Sequence, residues 1–102
     1  MTPIVLQHLE ELIALCRKYH VAELYLFGSA ANGNFKEESS DIDLLVTFQT
    51  MTSYERYLAY FGIIEDLERL FSRSVDLVEE QAIRNPYFRE EVEETRVKLY
   101  AA

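Results

Sequence analysis

Cysteine is nearly absent from this chain: Cys16 is the only one, so no intramolecular disulfide can staple the fold. It falls on the apolar stripe of an expected helix, where it reads as a small core residue rather than a nucleophile. Glycine and proline number 3 and 2, and 49% of residues are hydrophobic, a balance that excludes a disordered chain. Positive charge is scarce as well. Against 18 Asp and Glu stand 10 Lys and Arg, and the net charge of −8 opposes autonomous binding to nucleic acid, which calls for a basic face. No apolar run approaches the roughly 18 residues of a membrane span. The amino terminus also lacks the basic-then-apolar pattern of a signal peptide. The expectation is a cytoplasmic protein without membrane association.

What is present reads as one domain over residues 1–102, long enough to bury a core. Thr2 and Pro3 resemble an N-cap and first helical residue, and Val5, Leu9, Leu12, Ile13, Cys16 and Tyr19 recur at helical spacing to about Lys18. A short strand is expected from Glu23 to Phe27, ended by Gly28, and a second from Asp41 to Phe48. In the latter, Leu44, Leu45 and Val46 are consecutive, as in a strand covered on both faces. Thr52 and Glu55 have capping-box spacing and open a helix to about Phe71, with Tyr57, Tyr60, Ile63, Ile64, Leu67, Leu70 and Phe71 as its apolar face. Ser74 to Glu79 reads as a third strand. Asn85-Pro86 is a second cap-then-proline start, from which a final helix is expected to run to the end.

This order constrains the geometry. Strand, helix, strand is a βαβ unit, so the second and third strands should be parallel with a right-handed crossover. Asp41 and Asp43 sit at the start of one and Asp76 near the start of the other, so all three carboxylates should reach the same end of the sheet. For Gly28-Ser29 to reach that end too, the first strand must run antiparallel to the second. The fold class is therefore α+β, with a mixed sheet of three or slightly more strands and helices packed on it.

The stretch LFGSAANGNFKEESSDIDLLV (26–46) carries the chemistry. Residues two apart in a strand point to one face, so Asp41 and Asp43 aim together while Ile42 packs behind. Two close, partly buried carboxylates repel, and a hard divalent cation turns that liability into a site. Magnesium suits it, since a few carboxylates, water and substrate phosphates complete its octahedron; Asp76 would add a third ligand, enough to share a second ion. Gly28 lets a phosphate approach the backbone closely, and Ser29 offers a hydroxyl and an N–H at the start of a short helical turn. Alone, Gly-Ser is a turn, Asn32-Gly33 a hairpin signal and Asp-x-Asp a solvated loop. Together, flanked by strands and joined by a third acid, they point to a metal-dependent triphosphate site.

The order Gly-Ser, spacer, Asp-x-Asp in a strand and a later Asp in a strand resembles the DNA polymerase β-like nucleotidyltransferase superfamily. The short form, with LFGSAANG, SSDIDLLV and a terminal NPYFREEVEETRVKLY, is similar to the minimal nucleotidyltransferases, commonly encoded beside a HEPN-domain protein as toxin–antitoxin pairs. The resemblance implies the small nucleotidyltransferase fold. It implies Gly28 and Ser29 as the phosphate-binding pair, Asp41 and Asp43 as metal ligands, and Asp76 as the third acid, which helps deprotonate an attacking hydroxyl. That hydroxyl would attack the α-phosphate of ATP or another NTP with two Mg2+ ions bound, and pyrophosphate would leave. Two departures stand out. The spacer from Ser29 to Asp41 is one residue longer than the commonest one, absorbed around Lys36 to Ser39, and Ala30 stands where many relatives carry a basic residue.

The acceptor is expected to bring its own binding surface, because little lies beyond the catalytic core. The leading expectation is transfer of AMP from ATP to a hydroxyl of a HEPN-domain partner, within a homo- or hetero-oligomer. The rival is a non-catalytic antitoxin that neutralises its partner by binding; a small-molecule nucleotidyltransferase comes third. Tyr54, Leu58 and Phe61 form a second stripe on the long helix, either a partner surface or part of a wide core face. Gly62 within that helix costs roughly 1 kcal/mol relative to alanine and marks a close approach or a kink. His8 and His20 lack metal-ligand spacing and read as surface residues.

Overall fold

A computed structural model describes residues 3–32 and 41–102. Thr2, Gly33 and the segment 33–40 that contains Lys36 and the lengthened spacer lie outside the described residues. The elements in chain order are α1 (Pro3–Gln7), α2 (Leu9–Lys18), β1 (Val21–Phe27), α3 (Ser29–Asn32), β2 (Ile42–Phe48), α4 (Ser53–Phe71), β3 (Val75–Glu79), a 3-10 turn (Glu80–Ala82), α5 (Pro86–Thr95) and β4 (Val97–Ala101). The strands form one mixed sheet in the order β3-β2-β1-β4. β1 is antiparallel to β2 and β3 parallel to it, as the strand directions inferred from the sequence require.

Side-chain alternation explains the composition of the strands. Ile42, Leu44 and Val46 join Leu24, Leu26, Val75 and Leu77 on one face, where α2 and α4 deliver Leu12, Cys16, Ile63, Leu67 and Phe71. The opposite face carries Phe27 and Leu45, packed with Ile83 and Val92 from the α5 side. Covering on both faces is why Leu44, Leu45 and Val46 can all be apolar. Parity then puts Asp43 and Asp76 on the α5 face, beyond the reach of its small core. Cys16 is buried, and burial pushes its thiol up to about 12, which fits an inert core residue.

The helix starts follow their caps. The Thr52 hydroxyl accepts from Glu55 N–H while the Glu55 carboxylate accepts from Thr52 N–H, a complete capping box, and α4 ends at Ser72 in the left-handed region. The Asn85 side chain accepts from the Tyr87 and Phe88 N–H groups ahead of Pro86. Gly62 marks a close approach: a Cβ there would lie 2.6 Å from Cε1 of Tyr19, whose hydroxyl donates to Asp66.

Three expectations need correction. The first helix is broken at His8, whose backbone (φ −113°, ψ 18°) interrupts the ladder and whose half-buried ring packs edge-on against Phe71. Tyr57 is not on the core face of α4 but 61% exposed; burial falls instead on Ala59, Ile63, Leu67 and Phe71, spaced by four. The final helix stops at Thr95, and Val97–Ala101 pairs antiparallel with β1. Val92 and Leu99 are seven apart, which suits a helix, but β1 would otherwise present an open edge and the Val-Lys-Leu-Tyr run fits a pleated surface. Among the described residues, no helix is long and apolar enough to cross a membrane.

Candidate active site

The site is built at the end of the sheet where β1 leaves and β2 and β3 begin. Phe27 is the register partner of Asp43, and Asp43 is the register partner of Asp76. Asp41 lies exposed just ahead of β2, where Ile42 N–H donates to Ser74 O at 3.1 Å and so carries the β2–β3 pairing to the edge. The parallel crossover through α4 thus sets Asp76 beside Asp43 although the whole of α4 lies between them in the chain.

Gly28 follows β1 at φ +70°, a conformation that glycine adopts without a steric cost. A Cβ at Gly28 would meet Asp43 Oδ2 at 2.5 Å, so the missing side chain makes room for the carboxylate as well as for the turn. Ser29 opens α3 and is half-buried, while Ala31 N–H donates to Gly28 O at 3.1 Å. Ala30 is 1% exposed and belongs to the core, so a charged side chain at that position would have to leave the packing it now completes.

The groups acting on Asp43 are all acidic. Burial first, then repulsion from Asp76, Asp41 and Glu91, push its carboxyl up to about 6. A concentration of hard oxygen donors whose charges oppose one another fits a divalent cation. The side chains do not enclose one unaided: among the described residues, no three acidic, histidine or cysteine groups stand close enough to hold an ion. Water and substrate phosphate oxygens would have to complete its coordination, as magnesium ordinarily requires.

Two residues near the site were not placed there from the sequence. Glu91 and Thr95, four apart on one face of α5, reach it from below; the Thr95 hydroxyl accepts from Gly28 N–H at 3.1 Å. Their i,i+4 spacing was visible, but the angle at which α5 crosses the sheet was not. The hollows found among the described residues lie elsewhere. One of about 550 Å³ runs between α4 and the outer end of β3, lined by Arg56, Tyr57, Tyr60, Phe61 and Leu77. It holds no acid of the site.

The fold and this constellation define a class of protein, and comparison with known proteins agrees. The chain belongs to the nucleotidyltransferase domain family, whose profile matches residues 9–99. It shares 42% identity over 77 residues with a candidate protein adenylyltransferase of Methanocaldococcus jannaschii, covering 76% of this chain and 75% of that protein. With the protein adenylyltransferase MntA of Thermococcus cleftensis it shares 31% over 90 residues, 83% of this chain and 87% of the other. A solved structure described as a candidate minimal nucleotidyltransferase superposes with a TM-score of 0.75 at 30% identity, covering 91% of this chain and 90% of that one. A likeness in fold alone, TM-score 0.63 at 21% identity over 95% and 72% of the two chains, links it to a complex of a tri-AMPylated Shewanella oneidensis HEPN toxin with its MNT antitoxin. Within its family the chain is of the minimal type, in the DNA polymerase β-like superfamily, and it is an enzyme that transfers nucleotidyl groups.

Proposed function

We propose that this chain transfers AMP from ATP to a hydroxyl of a HEPN-domain partner protein, with Asp41, Asp43 and Asp76 as the catalytic acids and Gly28 and Ser29 holding the triphosphate. The observation that carries the reading is the Asp43–Asp76 register pair with Gly28 directly against Asp43, which sets the phosphate turn beside the acids. Support for a protein acceptor comes from the relatives named protein adenylyltransferases, and support for the partner class from the antitoxin that shares the fold. The exposed Tyr54, Tyr57, Leu58 and Phe61 on α4 give such a partner an apolar surface to cover.

In this reading Asp41, Asp43 and Asp76 would hold magnesium only together with water and the triphosphate oxygens, and when bound it supplies charge neutralisation for the attacking and leaving oxygens. Ser29 orients the phosphate chain through its hydroxyl and N–H. Asp76, exposed on the edge strand, would help draw the proton from an incoming hydroxyl. Attack on the α-phosphate forms the new P–O bond to the partner and releases pyrophosphate. The protein's share is positioning and charge rather than covalent chemistry.

The test incubates the chain with its genomic neighbour, labelled ATP and magnesium, alongside Asp41→Asn/Asp43→Asn. Label on the partner with wild type and none with the double variant is the expected result. A double variant that transfers no label yet still silences the partner, beside a wild type that is equally label-free, would establish neutralisation by binding instead.

A further inference from the structure

We propose that Thr95, the last residue of α5, is a positioning residue for the phosphate-binding turn and acts through Gly28. The inference rests on the reading above that Gly28-Ser29 holds the triphosphate. The Thr95 hydroxyl is used at both ends. Its proton goes to the Glu91 carbonyl at 3.0 Å, which can only accept, and its oxygen accepts from Gly28 N–H at 3.1 Å. Gly28 is buried, so its N–H has no water to turn to if that hydroxyl is removed.

Gly28 is thereby held from two directions. The side without a Cβ faces the Asp43 carboxylate, and the N–H faces Thr95. The bracket that presents Thr95 is short and stiff. α5 stops there, Arg96 N–H still bonds to Val92 O, and β4 begins at Val97 in register with Leu26, two residues before Gly28. The turn opens on a glycine, and its described part is α3, Ser29–Asn32. Its distance from Asp43 and Asp76 is set by the anchor as much as by its own hydrogen bonds. Positioning of this kind matters in phosphoryl transfer, where a shift near 1 Å costs on the order of a hundredfold in rate. A second consequence follows for recognition. Gly28 N–H is already engaged, so the Ser29 hydroxyl and N–H, rather than the Gly28 N–H, would meet a phosphate.

The test compares Thr95→Val, which keeps the shape without the hydroxyl, with Thr95→Ser, which keeps the hydroxyl. The whole purified chain is titrated calorimetrically with magnesium–ATP, the ligand-free proteins are melted, and exchange of the Gly28 amide is followed by NMR. Thr95→Val should weaken magnesium–ATP binding on the order of tenfold and release the Gly28 amide to exchange, while Thr95→Ser stays within about twofold of wild type. Binding by Thr95→Val equal to wild type overturns the proposal. Equal weakening in both variants, tracking a lowered melting temperature, overturns it in favour of a purely structural role. A wild-type chain that binds no magnesium–ATP overturns the phosphate reading itself, a result distinct from the other two.

Discussion

The Asp43 carboxylate fills the space a side chain on Gly28 would need, with Oδ2 2.5 Å from the position of that absent Cβ. One glycine thus serves the backbone, which turns at φ +70°, and the acid, which packs against it. The two requirements separate the effects of changing either residue.

Gly28→Ala meets both obstacles together. The left-handed backbone alone costs about 1 kcal/mol with alanine, and the displaced Asp43 carboxylate adds to it. Transfer activity should fall further than stability, by about a hundredfold, since the turn and the acid are pushed apart. Melting curves beside a labelled-ATP assay measure the two effects. A variant that melts lower but keeps its activity would dissociate Gly28 from the chemistry.

Asp43 itself makes the metal-free protein pH-sensitive in a defined direction. Its carboxyl is pushed up to about 6 in the fold, against about 3.9 in the unfolded chain. Between those values the folded state binds more protons, so this contribution to stability is full below about pH 4 and is lost as pH rises through about 6. Asp43→Asn should therefore melt higher than wild type at pH 8 without metal and close to it at pH 4. The gain is about 1 kcal/mol after allowance for solvent at a half-exposed group, or about 4–8 °C. Asp66 and Glu55, whose carboxyls are held low by hydrogen bonds from Tyr19 and Thr52, are common to both proteins and cancel. Magnesium and ATP should reverse the order at pH 8 by stabilising wild type alone. An Asp43→Asn variant that gains as much from magnesium as wild type would remove Asp43 from the metal site.

The neighbourhood of Asp41, Asp43 and Asp76 was legible because two short-range rules fix it: side chains two apart share a face, and a βαβ unit is parallel. α4 was legible to the residue, since Thr52 and Glu55 signal its start in four residues. β4 was not, because Val92 and Leu99 suit a helix, and only the open edge of β1 makes Val97–Ala101 a strand. Glu91 and Thr95 were hidden for the same reason. Their role depends on how α5 crosses the sheet, a long-range packing outcome that no local pattern encodes. Tyr57 misled because the apolar positions of α4 span more than one face.

Gly62 allows a sharper test of packing. By helix propensity alone, Gly62→Ala should stabilise by about 1 kcal/mol. The new Cβ would lie 2.6 Å from Tyr19 Cε1, and the ring cannot swing freely while its hydroxyl donates to Asp66 at 2.5 Å. Net destabilisation of about 1–2 kcal/mol is expected. With Tyr19→Ala already in place, the same substitution should become stabilising by about 1 kcal/mol, a change of sign that a double-mutant cycle by urea unfolding would record.

The exposed stripe on α4 separates partner capture from chemistry. Tyr57 and Phe61 are 61% and 55% exposed, their rings 5.0 Å apart, in the first half of α4, which begins where β2 finishes and so lies on the side of the helix farther from the acids. Neither belongs to the buried core, so Tyr57→Ser/Phe61→Ser should change stability by no more than about 0.5 kcal/mol. If the HEPN-domain partner docks here, the loss of two apolar anchors should weaken the complex by about 2 kcal/mol or more. Binding of magnesium–ATP should be unchanged, because the stripe is exposed on α4, which packs on the sheet face opposite to Asp43. Label transfer to the partner should then fail at low partner concentration and recover as the partner is raised. Size-exclusion of the mixed proteins and transfer measured against partner concentration test the two halves. An unaltered complex would move the docking surface off α4, and a loss of nucleotide binding would show that the stripe and the site are not independent.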